Sequence, residues 1–211
     1  MRYLYNPPSI VKFIFKEFYW ETVNDKILLT FDDGPDPGTT EKILTALSDL
    51  KIKALFFCVG NNIKLYPGLT KAVIDEGHTI GNHTFNHKII TKYEGNDYIT
   101  EIENFNKMML KDYSSDVKYF RPPHGKFNFR TKKTIKLIEM KCVMWNLLTY
   151  DYKNDFKKVK FAVDKYLKQN SIIVLHDSLK SEEIILDSIK YTAEAADKRN
   201  YKFGEPDECL S

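Results

Sequence analysis

Six short apolar runs alternate along this chain with six amphipathic patterns, and that alternation restricts the fold more than any other feature of the sequence. The runs Lys26 to Phe31, Ala54 to Val59, His78 to Gly81, Val117 to Phe120, Cys142 to Asn146 and Ser171 to Leu175 are brief, and several are rich in β-branched or aromatic residues, as strands are. Between them, Thr40 to Leu50, Leu69 to Glu76, Asp97 to Leu110, Phe129 to Glu139, Phe156 to Lys168 and Ser181 to Ala196 place apolar residues at three- and four-residue spacing, which predicts helices. Thr39 or Thr40 before Glu41 reads as a helix start, and Gly77 after Glu76 as a stop. Regular alternation of the two favours a parallel sheet in an α/β chain. A closed barrel and an open doubly wound sheet both satisfy the pattern.

No Gly/Ser linker, repeat or block of like charge divides the 211 residues, so a single domain from residue 26 to 211 is expected, with residues 1 to 25 packing on it or flanking it. Apolar residues at 43% are too many for a disordered chain. A net charge of +3, with basic residues matched by acidic ones in most stretches, argues against a nucleic-acid partner. Cys58, Cys142 and Cys209 are odd in number and far apart, so neither a disulfide framework nor a zinc knuckle is built from them. The aromatic stretch Ile10 to Trp20 is interrupted by Lys12, Lys16 and Glu17, unlike a signal peptide or a transmembrane helix. Cytoplasmic location is the expectation from that reading, with association with the cell envelope kept open. No obligate protein partner is evident.

In a parallel sheet all strand carboxyl ends open on one face, where α/β proteins place their active sites. The polar residues found there are unusual. Lys26 to Phe31 runs into Asp32-Asp33-Gly34-Pro35, His78 to Gly81 into Asn82-His83-Thr84-Phe85-Asn86-His87, and Val117 to Phe120 into Arg121-Pro122-Pro123-His124-Gly125. Cys142 to Asn146 leads toward Asp151, and Ser171 to Leu175 ends in His176-Asp177. Singly, each has an ordinary explanation: Asp-Asp-Gly-Pro makes a good turn, His83 and His87 at i and i+4 suit one side of a helix, Arg-Pro-Pro makes a rigid strand exit, and Trp145 suits a core. Independent turns, however, have no reason to place Asp, two His, Arg and another His at successive strand ends.

Thr30-Phe31-Asp32-Asp33-Gly34-Pro35, His83-Thr84-x-x-His87, Arg121-Pro122-Pro123-x-Gly125, Trp145 through Asp151, and Leu175-His176 resemble, in order, the five motifs of the polysaccharide deacetylase family, also called the NodB homology domain or carbohydrate esterase family four. The resemblance implies a distorted (β/α) barrel that hydrolyses an N-acetyl group of an amino sugar such as N-acetylglucosamine in a glycan. It implies one divalent metal, zinc before Co²⁺, Ni²⁺ or Mn²⁺, on Asp33, His83 and His87. Two imidazoles and one carboxylate leave an open position, as a catalytic site requires. By the same resemblance Asp32 is the general base, Arg121 its counter-charge, His176 the general acid and Asp151 the partner of His176. A backbone N–H at His124 faces the oxyanion, and Pro123, His124, Tyr152 and Leu175 border the substrate, Leu175 against the acetyl methyl. The sequence departs from the family at His124, where Tyr is common, at Leu148, where many relatives have Asp, and at Tyr152, where many have Trp. These departures bear on substrate preference. A deacylase of a small or lipid-linked N-acyl compound, and a non-catalytic carbohydrate-binding scaffold, are the competing expectations.

Overall fold

The computed structural model describes residues 4–94 and 97–211; residues 1–3 of the expected N-terminal segment lie outside it. In chain order the elements are α1 (Ser9–Ile14), β1 (Lys26–Asp32), α2 (Thr40–Leu50), β2 (Leu55–Cys58), α3 (Gly60–Leu65), α4 (Pro67–Asp75), β3 (Thr79–Asn82), α5 (Asp97–Tyr113), β4 (Tyr119–Phe120), α6 (Phe129–Leu137), β5 (Lys141–Cys142), β6 (Leu147–Leu148), α7 (Phe156–Tyr166), β7 (Ile172–His176), α8 (Ile185–Asp197), β8 (Lys202–Phe203) and α9 (Pro206–Cys209). All strand pairings are parallel, in the order β5-β4-β3-β2-β1-β7-β6, with β8 beside the start of β1. The sheet curls into a distorted (β/α) barrel. That decides between the two arrangements the alternation allowed.

Period-two alternation sorts the strand residues onto two faces. Leu28, Leu55, Phe57, Tyr119, Val143 and Ile172 form the barrel interior, and Cys209 and Leu210 at the chain's end join them. Leu29, Phe31, Phe56, Ile173 and Leu175 point the other way, into the larger core shared with the helices. There α2 contributes Ile43, Leu44 and Leu47, the three- and four-residue spacing that marked it in the sequence. Asn128 and Thr131 form a reciprocal cap that starts α6, and Asp155 caps α7.

The expected strand Cys142 to Asn146 is not one strand. The chain leaves the sheet after β5 and returns at β6; between them the Asn146 side chain accepts the Ile172 N–H at 3.1 Å while its own backbone N–H donates to the Ile172 carbonyl at 3.4 Å. β5 and β6 are the ends of the strand order, and residues 5–20 fill the seam between them. Tyr19 donates its N–H to the Cys142 carbonyl at 2.9 Å and accepts from Met144 at 2.8 Å, while the Tyr5 carbonyl accepts from Leu148 N–H at 2.8 Å. Phe15, Phe18 and Trp20 gather around Phe127 on one side of the seam, and Tyr5 packs among Tyr150, Phe161 and Tyr166 on the other. Aromatic packing thus closes what hydrogen-bonded strands leave open.

Candidate active site

Asp32 ends β1, where alternation turns it toward the interior, and the register sets it directly beside His176 at the end of β7 and Phe57 on β2. Asp33 follows at φ 79°, a left-handed conformation that brings a second carboxylate from the same turn to the same cleft. Gly34 is obligatory in that turn: a Cβ there would lie 2.2 Å from Asp177 Oδ2. Asp177 is buried and accepts hydroxyl hydrogens from Thr39 at 2.6 Å and Thr40 at 2.7 Å, so it ties the turn to the start of α2. Burial pushes its carboxyl up to about 7, against the two hydroxyls and with help from the Asp36 and Asp33 carboxylates.

His83 and His87 lie on a loop after β3, not on a helix. Thr84 and His87 have positive φ, and the Asn82 side chain accepts the Thr84 N–H at 2.7 Å while donating to the Ile102 carbonyl and to Asn106, so the loop is pinned to α5. Asp33 Oδ1 lies 3.6 Å from His83 Nε2 and 3.1 Å from His87 Nε2. Burial pushes His83 down to about 4, so its ring is neutral at physiological pH. Its Nδ1 is 2.7 Å from the Arg121 carbonyl, which fixes the proton there and leaves the Nε2 lone pair facing Asp33. The Asp33 carboxyl is held well below the usual carboxylate range: burial opposes this, but the His87 contact and the surrounding imidazoles prevail.

These three residues fit a metal. Their donor atoms converge within 4.8 Å of one another, and His87 Nε2 is buried with no hydrogen bond although a carboxylate oxygen lies 3.1 Å away. A carboxylate oxygen and two imidazole nitrogens converging in this way suit a shared cation.

Arg121 is fully buried. Its guanidinium gives hydrogen bonds to Asp32 Oδ1 at 2.6 Å, Thr30 Oγ1 at 2.8 Å, and the Val143 and Met144 carbonyls at 2.8 and 2.9 Å, and it lies over the Phe57 ring. A planar fork with four of its five N–H donors used explains why Arg, rather than Lys, occupies the position. His176 is gripped twice by Asp151, through Nδ1 at 2.8 Å and through its backbone N–H at 2.7 Å, and the Thr149 hydroxyl stands 3.0 Å from the same carboxylate. Burial lowers the imidazolium's stability, yet Asp151, followed by Asp33 and Asp32, raises His176 to about 9.

A cleft of about 180 Å³ brings together Asp32, Asp33, His83, His87, His124, Gly125, Leu148, Tyr152, Val174, His176 and Lys180. Arg121 and Asp151 stand behind it as the partners of Asp32 and His176. Leu175 does not line it. A strand residue adjacent to His176 must face the opposite side, so Leu175 lies in the helix-side core while Val174, two residues before His176, supplies the apolar wall with Leu148. The period-two rule applied to His176 would have found Val174 in the sequence. Pro123 is buried in the turn and also stays out of the cleft lining, and Trp145 packs beneath Gly125. A larger groove of about 790 Å³ between α3, α4 and the end of α5 holds none of the strand-end residues, so size does not mark the chemistry here.

A family model described as polysaccharide deacetylase matches residues 21–143. The chain is similar to peptidoglycan-N-acetylmuramic acid deacetylase PdaA of Bacillus subtilis, with 34% identity over 176 residues, covering 81% of this chain and 67% of the relative. It is 32% identical over 199 residues to a peptidoglycan-N-acetylglucosamine deacetylase of Bacillus cereus, covering 90% of this chain and 92% of that one. The solved structure of the Bc1960 peptidoglycan N-acetylglucosamine deacetylase, at 24% identity, superposes with a TM-score of 0.88 over 94% of this chain and 95% of that chain, a likeness of fold. A model match over most of the barrel, joined by two relatives above 30% identity, places the ordered strand-end motifs in one lineage: the chain belongs to the polysaccharide deacetylase family.

Proposed function

We propose that this chain removes the N-acetyl group from N-acetylglucosamine-type amino sugars of a glycan, releasing acetate and a free amine, and that its substrate is cell-envelope peptidoglycan or a chitin-like oligosaccharide. The carrying observation is the register that sets Asp32, with its fixed guanidinium, directly across from His176, with its carboxylate, beside the Asp33, His83 and His87 donors. Zinc suits one carboxylate and two imidazoles best. When bound there, a divalent cation supplies Lewis-acid chemistry, lowering the pKa of water and polarising an amide carbonyl.

The protein's own groups do the rest. Asp32 accepts the proton of the attacking water, and Arg121 holds the carboxylate in place through the transfer. Gly125 and Lys126 spend their N–H groups inside the turn on the Pro122 and Pro123 carbonyls, which leaves the His124 N–H as the turn's donor to a developing oxyanion. His176 carries a proton at Nε2 to the departing amine, since Asp151 occupies Nδ1. Val174 and Leu148 receive the acetyl methyl, and Tyr152, edge-on to the His176 ring, offers an aromatic face to the sugar.

Acetate release from N-acetylglucosamine oligomers and from peptidoglycan, measured with bound metal, tests this. His83→Ala should abolish stoichiometric zinc uptake and acetate release while leaving the fold. Turnover of small N-acyl amides without turnover of any glycan would move the substrate class, and a His83→Ala protein with normal zinc and activity would remove the site.

A further inference from the structure

α1 spans six residues, fewer than an isolated helix needs, and none of the six is buried. Only Val11 reaches the core at its edge. Four of its residues are nevertheless apolar: Ile10 is 63% and Phe13 75% exposed, with Ile14 on the same side. One turn further on, Phe15 stacks on Phe129 at 5.1 Å, and Glu17 pairs with Lys132, so α1 abuts the start of α6. Phe129 is itself 67% exposed and Leu137, two turns along α6, 74%. Lys133 and Lys136 share by helical spacing the face of α6 that carries Phe129 and Leu137, and Lys16 and Lys126 lie nearby in the chain; all four are exposed and none is in an ion pair among the described residues. Large apolar side chains that gather on one surface mark an interaction site, whereas scattered ones need no explanation.

We propose that this surface docks on an anionic lipid bilayer. Side chains three-quarters exposed on short helices protrude, which suits insertion between lipid headgroups rather than capture of a peptide in a groove. The lysines choose the charge of the surface: each gains energy near anionic headgroups within a Debye length. A second copy of the chain fits poorly. A two-fold contact would set the patch on itself and bring the same four ammonium groups together. No helix among the described residues is long and apolar enough to cross a membrane.

Co-sedimentation of the full chain with phosphatidylcholine vesicles, with and without phosphatidylglycerol, tests this. Binding should appear with phosphatidylglycerol and fall as salt rises. The double variant Ile10→Ser/Phe13→Ser should lose about tenfold or more in partitioning, and Lys133→Glu/Lys136→Glu a similar factor. All four positions are exposed, so the thermal midpoint and acetate release from a soluble oligomer should stay unchanged, which separates this proposal from the catalytic one. Absence of binding to anionic vesicles, or variants that bind as well as the parent, overturns it. So does a concentration-dependent dimer that Phe13→Ser disperses, since the patch would then serve a second copy.

Discussion

Asp32 faces a guanidinium and His176 faces a carboxylate, on neighbouring strands and in register. The pairs look alike, yet they are held differently. Arg121 spends its donors on Asp32, Thr30 and two carbonyls, so the carboxylate proposed as base is held by a packed guanidinium. Burial lowers the His176 pKa, but Asp151 more than offsets it and raises it to about 9, so the pair with the proposed acid is the one tuned by a charge. One side of the cleft is built as a scaffold, the other as a setting.

The largest effect expected from breaking this contrast is on the fixed side. Asp32→Asn keeps shape and hydrogen bonding but removes the proposed proton acceptor, so kcat should fall about 10²- to 10⁴-fold with the bound metal retained. Metal analysis beside steady-state kinetics checks it; if the metal leaves with the substitution, the proposed roles of Asp32 and Asp33 are exchanged.

On the titrating side the change should be smaller and should move along the pH axis. An acid must be protonated to act, so activity falls as pH rises through the folded value of about 9. Asp151→Asn removes the first of the groups that raise it, so the alkaline limb should shift to lower pH, and the maximum rate should drop about tenfold. The linkage has the same sign: stability from a raised histidine pKa is fully present below the ordinary value of ~6.5 and is lost as pH climbs through about 9, so this part vanishes in the variant. An unmoved limb at full activity would separate Asp151 from His176.

The finest distinction lies between two neighbours on β7. Val174→Ala should raise KM about threefold to tenfold through a looser methyl pocket. Leu175→Ala should leave KM alone and cost about 2–5 kcal/mol of stability from the helix-side core. Equal effects on both readouts would mean that the two faces of the strand are not separated as described.

Much of this was legible because strand ends punctuate the sequence. Thr40 to Leu50 was readable to the residue, since its buried positions keep helical spacing, and the acid, base and ligand candidates stood out as polar groups following apolar runs. What the sequence hid is equally physical. Ile172 to Leu175 is apolar on both faces, as strands of a buried parallel sheet are, so the run itself does not tell which side meets the cleft. His83 and His87 have helical spacing, but their loop is shaped by Asn82 and by positive φ at Thr84 and His87, which spacing does not report. α3, β6, β8 and α9 are short elements held by contacts remote in sequence. α1 escaped because, Val11 at the core's edge apart, its apolar residues do not face the core.

The seam between β5 and β6 also imposes an order on how the molecule is completed. Synthesis delivers Tyr5 and Tyr19 early, yet their hydrogen-bonding partners, Leu148, Cys142 and Met144, are made much later, and Leu4 waits 146 positions for the Tyr150 hydroxyl. A contact of that sequence separation forms slowly, because the loop must close before anything rewards it. Local strand pairs such as β2 with β3 need no such delay. This segment is therefore made long before the partners that seat it, and until they arrive its aromatic side chains have no barrel seam to close.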